Sequence, residues 1–298
     1  MKRFNELSIS ILVLMLGLFL TFQTANAATY KIGVLAKRGA AKCMKKWGKM
    51  GTFLTKKTGD KYEIVPLKFT EIEPAVKNKS IDFVLANSAF FVVLQKKYGV
   101  RSVATLINSR QGKALDKFGG VILVRKDSPI KTLQDIKGKK FDCVKYSSFG
   151  GAHMAWRLLL DNGIDPKKDC ASFTEGKKHD YVVYRVLNKK VDVGTVRSDT
   201  LERMEAEGKI KMSDFRIIHK IDDDFPFVHS TRLYPEWPMA VCPHVSDAVA
   251  NKMAKALFSM KPDDPAAKAA KIVGWKQPAD YQPVIDCLKA IKYGPFAE

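Results

Sequence analysis

Residues 140–163 read KFDCVKYSSFGGAHMAWRLLLDNG, one complete strand–loop–helix unit. Residues 140–144 are short and apolar enough for a strand. Residues 150–162 carry Met154, Trp156, Leu158 and Leu159 on a helical stretch, and Gly163 supplies its C-cap. Between them runs Tyr146-Ser147-Ser148-Phe149-Gly150-Gly151. Two hydroxyls and two glycines at a helix start can aim backbone N–H groups and Oγ atoms at a single anion, and the helix dipole adds favourable potential. The same composition also makes an ordinary serine N-cap with a glycine turn.

The same alternation extends in both directions. Upstream, strands are expected at residues 30–35, 62–67, 81–86, 102–107 and 120–125, with helices at 41–58, 71–78 and from Ser88, which is placed to cap the helix carrying Phe90, Phe91, Leu94 and Tyr98. Downstream, strands at 171–173 and 191–196 alternate with helices at 179–188 and 200–207, an extended run covers 215–221, and helices close the chain at 247–260, 266–273 and 283–291. This pattern predicts an α/β protein with mainly parallel sheets. Two such units suggest two lobes. Residues 28–121 and 222–298 form one, 122–221 are inserted as the other, and a two-segment hinge crosses near residues 119–123 and 218–226. A single doubly wound sheet is the alternative.

The N-terminus carries Lys2 and Arg3, a nearly unbroken apolar run over residues 11–20, and Ala25-Asn26-Ala27. These are the parts of a cleavable signal peptide covering residues 1–27, and the run is short of the roughly 20 apolar residues of a membrane span. An exported protein of the periplasm is therefore expected. The formal charge of the chain is +20, and the leader's Lys2, Arg3 and Glu6 account for one positive charge of it. So basic a chain favours anionic partners. Its lysines are scattered in pairs such as Lys45-Lys46 and Lys96-Lys97, with no zinc-finger or RNA-binding signature, so they read as solvated surface and nucleic acid is not expected.

Five cysteines, Cys43, Cys143, Cys170, Cys242 and Cys287, enter an oxidising compartment, where disulfides are plausible and an odd count leaves one over. Cys143 with Cys170 and Cys43 with Cys287 are the pairs expected within each lobe. Cys43, near a helix start, is also the one residue that could serve as an activated thiol.

In open α/β sheets ligands bind beyond the C-terminal ends of strands. Four segments stand there: Ala36-Lys37-Arg38-Gly39, Asn87-Ser88, the Ser147-Ser148 loop, and residues 195–200 with Arg197. Arg38 and Arg197 can each fork onto an oxyanion, and His179 at a helix start can donate to one. Residues 227–234 place polar and aromatic groups beside the proposed hinge. Neither a Walker loop nor a Gly-x-Ser-x-Gly elbow nor a metal-spaced histidine pair is present, so no catalytic residue, metal or cofactor is assigned.

The ordered set of segments resembles the periplasmic binding proteins of the phosphate/phosphite/phosphonate type. The matching strings are residues 36–39, Asp82-Phe83-Val84 before Asn87-Ser88, Gly119-Gly120-Val121, the short helix Thr132-Leu133-Gln134-Asp135-Ile136-Lys137-Gly138-Lys139, Ser147-Ser148 with Gly150-Gly151, and His179-Asp180. Residues 32–39, 83–87, 148–151 and 194–197, and above all FPFVHSTRLYPEWP at 225–238, are similar to the periplasmic sensing regions of tetrathionate-sensor-type histidine kinases.

The resemblance implies a type II periplasmic binding protein, a monomer closing two lobes on a small anionic ligand. Arg38, Asn87, Ser88, Ser147, Ser148, His179 and Arg197 are then its ligand-binding residues. A phosphonate, phosphite or phosphate-like anion delivered to the permease of an ABC transporter is the leading expectation. Because Phe149 stands in a loop that is hydroxyl-rich in phosphonate binders, a sulfur oxyanion such as tetrathionate, or another organic anion, sensed with a histidine kinase is the alternative. The sequence ends at Glu298 without a kinase domain, so either role is expected to need a separate membrane partner.

Overall fold

The computed structural model describes residues 27–37 and 39–297, so the expected leader (apart from Ala27) and Arg38 lie outside the described residues. Strand β1 (Thr29–Leu35) leads into helix α1 (Ala40–Thr58), β2 (Lys61–Leu67) into α2 (Phe69–Lys77), and β3 (Phe83–Leu85) into α3 (Ser88–Tyr98). The long strand β4 (Arg101–Arg110) turns back as β5 (Lys113–Leu115), and β6 (Lys117–Phe118) leaves this half. A second set follows: β7 (Gly120–Arg125), β8 (Lys140–Cys143), α4 (Met154–Asp161), α5 (Pro166–Asp169), β9 (Ser172–Glu175), α6 (His179–Leu187), β10 (Val193–Arg197), α7 (Thr200–Ala206) and β11 (Phe215–Ile218). The chain returns through β12 (Tyr234–Pro235) to β13 (Pro238–Val241), α8 (Asp247–Phe258), α9 (Pro265–Ala270), β14 (Ile272–Lys276) and α10 (Gln282–Ala290).

Two sheets result, each the centre of one lobe. The larger has the order β14-β4-β13-β3-β1-β2 with β5 on β4, and the smaller β11-β7-β10-β8-β9. Each is buried on both faces, because alternate side chains of a strand point to opposite sides. Phe83 and Leu85 pack with Trp47, Met50 and Leu54 of α1 on one face, while Val84 packs with the α3 and α10 side chains on the other. In the smaller sheet Val121 and Leu123 face one core and Ile122 and Val124 the other.

Both sheets are mixed, where the alternating pattern predicted mainly parallel ones. The helix-linked strands β1, β2 and β3 pair in parallel, as do β8, β9 and β10. Strands β13 and β14 belong to the returning chain and pair antiparallel with β3 and β4, and β7 and β11 are likewise antiparallel. The helix expected over 266–273 stops at Ala270, where Lys271 takes a left-handed φ of 54°, and the chain continues as β14. Asn87, not Ser88, caps α3, its side chain accepting from the Phe90 N–H at 2.9 Å.

The two crossings meet in a short antiparallel ribbon of their own, Tyr234 opposite Phe118 and Pro235 opposite Lys117. Before reaching it, the returning chain hydrogen-bonds to the smaller sheet: the Ser230 N–H donates to Gly120 O at 2.8 Å, and Ser230 Oγ donates to Ile218 O at 2.7 Å.

The expected disulfides are corrected: all five cysteines are free thiols. Cys43 and Cys287 belong to the two cores on opposite faces of the larger sheet, so that sheet stands between them. Cys143 is buried at the end of β8, while Cys170 turns its thiol towards Ile136 O at 3.7 Å.

Candidate functional site

A cavity of about 190 Å³ opens between the lobes at the end of β1. Its near wall is the turn through Ala36, Lys37 and Gly39 and the first two turns of α1. Gly39 makes that wall possible. It sits at φ 92°, a conformation that favours glycine, and starts α1 directly behind the strand. In α1, Cys43, Trp47 and Met50 turn to the core, which leaves Lys42 and Lys46, four residues apart, on one face beside the cavity. Lys37 Nζ lies 5.0 Å from the centre of the Trp237 ring, and Trp237 completes this side.

The far wall joins the lobes. Arg197, at the end of β10, reaches across to Glu236, Nη2 to Oε1 at 2.5 Å, and its Nε lies 3.3 Å from Asp199 Oδ1. Its guanidinium stacks on Phe118 at 4.0 Å. Arg110 approaches Asp199 Oδ2 at 3.5 Å, and Asn108 Nδ2 donates to Glu236 Oε1 at 2.8 Å. Burial works against both charges of the Arg197–Glu236 pair. Glu236 and Asp199 nevertheless raise the Arg197 pKa, and Arg197, helped by Arg110 and Asn108, lowers that of Glu236, so both stay ionised. Lys37, Lys42, Lys46, Arg110 and Arg197 line the cavity, and no carboxylate does so among the described residues.

The structure brings only part of the expected set here. Arg197, Lys37 and Gly39 border the cavity. Asn87 is committed to capping α3, and Ser88 is fully buried and donates to Pro235 O at 2.7 Å, tying α3 to the crossing ribbon. His179 stands behind Arg197, its Nδ1 accepting the Arg197 backbone N–H at 3.2 Å. Ser147 and Ser148 lie half-buried where a turn of π-helix (Phe149–His153) enters α4, and neither lines the cavity. Gly150, further along the same loop, lies against the Phe118–Arg197 stack: a Cβ there would lie 2.8 Å from the Phe118 ring and 3.4 Å from Arg197 Cβ.

Lys42, Lys46, Trp47, Asn108, Arg110 and Trp237 were not anticipated. The available signals were the four-residue spacing of Lys42 and Lys46 behind a strand-end turn, and Trp237 within the 225–238 string. Burial pushes the Cys43 thiol up, with Lys46 opposing more weakly, which disfavours the thiolate an activated nucleophile requires. Among the described residues, no group of three or more His, Cys, Asp or Glu could hold a metal ion, and no helix is long and apolar enough to cross a membrane.

Known proteins share this architecture. The chain is 34% identical over 273 residues to the tetrathionate sensor histidine kinase TtrS of Salmonella typhimurium, an alignment covering 91% of this chain and 45% of that protein. The chain thus spans under half the length of this curated relative. Among solved structures, XAC2383 from Xanthomonas citri bound to ATP superposes with a TM-score of 0.73 at 18% identity, covering 89% of this chain and 98% of that one. PhnD1 from Prochlorococcus marinus in complex with methylphosphonate gives 0.66 at 13% identity, covering 89% and 99%. At these identities the two structures speak for the fold. The family model described as "ABC transporter, phosphonate, periplasmic substrate-binding protein" matches residues 32–282, and the chain belongs to that family.

Proposed function

We propose that this protein is a periplasmic solute-binding protein that captures a small oxyanion between its lobes and delivers it to an ABC transporter. The observation that carries the reading is the cavity of about 190 Å³, bordered by five basic side chains from both lobes and by Trp47 and Trp237. Its volume suits a small ligand, and its lining favours an anion with an apolar portion. Because Arg197 comes from one lobe and Lys37, Lys42, Lys46 and Arg110 from the other, an anion here favours the closed arrangement by its differential affinity. We assign lobe borders near 118/119 and 231/232, following the sheets, in place of 121/122 and 221/222. Residues 1–27 act as the export signal, and the protein works as a monomer without catalysis or cofactor. We retain Arg38 as a ligand contact.

A phosphonate, phosphite or phosphate-like anion is the first ligand reading, supported by the family. The likeness to TtrS over nine-tenths of the chain favours a second: a sulfur oxyanion such as tetrathionate, sensed together with a membrane histidine kinase. Thermal unfolding with phosphate, methylphosphonate, sulfate, thiosulfate and tetrathionate tests both. A ligand at a hundred times its Kd stabilises by about 2.7 kcal/mol, which raises the Tm of a chain this size by roughly 5 °C or more. A shift with phosphorus anions supports transport, and a shift confined to sulfur anions supports sensing. No shift with any of them overturns the oxyanion reading.

A further inference from the structure

The fold sorts lysines that look scattered along the sequence. Helices α1, α8 and α9 share the core on one face of the larger sheet, and α2, α3 and α10 share the core on the other. The first layer carries nine lysines against one acidic residue, Asp247, which is already paired with Arg101 at 2.6 Å. The second carries four lysines and three acidic residues. Six of the nine belong to α1, which has no acidic residue in its 19. Because α1 turns Cys43, Trp47, Met50 and Leu54 inward, Lys42, Lys45, Lys49 and Lys56 form an exposed stripe along its outer side. Lys252 of α8 pairs with Asp60 at 2.6 Å, while none of the four stripe lysines has a carboxylate partner among the described residues. Helices α8 and α9 both pack against α1, so the basic surface is continuous.

We propose that this face of the larger lobe binds peripherally to anionic phospholipid at the membrane surface, with the α1 stripe at its centre. The layer lacks what a protein partner would use. Its helices hold no arginine, and Met44, 45% exposed, is its one large exposed hydrophobic residue among those described. Protein interfaces deplete lysine and concentrate aromatic side chains, methionine and arginine. Fixing long lysine side chains against one partner geometry also costs rotamer entropy. A bilayer of anionic headgroups demands no such geometry, and each lysine near its surface adds to the attraction. The inference goes beyond oxyanion capture and does not depend on it. Bound this way, the protein is held in the plane where a membrane partner sits.

Vesicle co-sedimentation tests the assignment. The protein is used from Ala28 onward, because the leader's apolar run would itself enter lipid and every described strand and helix lies beyond it. Vesicles of phosphatidylcholine alone are compared with vesicles holding roughly one-third phosphatidylglycerol. Binding is expected only to the second. It should weaken at least about tenfold when salt rises from about 0.1 M to 1 M, as the screening length drops from about 10 Å to 3 Å. A variant with Lys45→Gln, Lys49→Gln, Lys56→Gln and Lys57→Gln should lose at least about tenfold in affinity. A second variant, with Lys77→Gln, Lys96→Gln, Lys97→Gln and Lys289→Gln, changes the net charge equally on the opposite layer and should lose less than about threefold. All eight positions are exposed, so both variants should fold, as thermal melts would confirm. Equal losses in the two variants overturn the proposal, since net charge alone would then be responsible. Equal binding to phosphatidylcholine alone overturns it too, as does no binding at low salt. The thermal shifts with oxyanions are measured without vesicles, so failure of the cavity and failure of this surface are separate results.

Discussion

Arg197 and Glu236 meet at 2.5 Å across the two lobes, and the Glu236 side chain is wholly buried. The pair is therefore both an interior ion pair and a latch. Removing one partner of such a pair strands a charge and typically costs about 3–5 kcal/mol, whereas replacing both with apolar groups is often neutral. Arg197→Met is accordingly expected to lower stability by that order. The double variant Arg197→Met with Glu236→Met should recover most of it, as urea unfolding would show. Because the pair joins the lobes, small-angle scattering of either variant should also give a larger radius of gyration than wild type.

His153 predicts a pH dependence. It is fully buried, one ring nitrogen meets Tyr146 O, and burial lowers its pKa to about 4. Unfolded, the same imidazole takes up a proton near 6.5. Between these values the unfolded chain binds more protons than the folded one, so stability is complete above pH 6.5 and drains away towards pH 4. The depression corresponds to about 3 kcal/mol. Unfolding free energies measured from pH 8 to 4 should show this slope, and His153→Phe should flatten it whatever its own stability. An identical slope in the variant removes His153 as the cause.

Two glycines of α1 make opposite predictions. A Cβ on Gly51 would lie 2.5 Å from the Tyr62 backbone oxygen, which cannot move without disturbing β2. Gly51→Ala should therefore destabilise by about 1–3 kcal/mol. A Cβ on Gly48 meets only the end of Met44, at 3.5 Å. There the gain in helix propensity is unopposed, and Gly48→Ala should stabilise by up to about 1 kcal/mol. Thermal melts of the pair give the comparison.

Thiol titration addresses the cysteines. Cys43, Cys143, Cys242 and Cys287 are buried, Cys170 is half-buried, and all are free. Burial pushes the thiols of Cys143, Cys242 and Cys287 up to about 12. The native protein should react slowly, Cys170 first, and five thiols should appear on denaturation without reductant. Three or fewer would show a disulfide that this fold does not contain.

Periodicity made the helix-linked half of the fold legible. Trp47, Met50 and Leu54 mark one face of α1, and the four strand-end turns lie where they were expected. The returning half was harder. Strand β14 holds only Ile272–Lys276 and directly follows an alanine-rich helix, so local pattern carried the helix through it. In the site, Arg197 was visible because it ends a strand. Asn108 and Arg110 were not, since β4 runs three residues past the expected Ile107 and its register against β14 comes from a distant part of the chain. Lys42 and Lys46 were read as solvated because charge alone cannot tell a surface lysine from one at a cavity. Ser147 and Ser148 have the right chemistry for an anion, but their loop enters α4 through a turn of π-helix and neither serine lines the cavity, which the local sequence does not reveal.

The ribbon of β6 and β12 has a mechanical consequence. Two independent tethers would let the lobes swivel, slide and splay. Here Phe118 faces Tyr234 and Lys117 faces Pro235 in one ladder, so torque on either crossing passes to the other and the lobes share a single axle. Phe118 is part of that axle and also the plate on which Arg197 rests, 4.0 Å away. Any rotation of the lobes about that ribbon would therefore carry the Arg197 wall of the cavity with it.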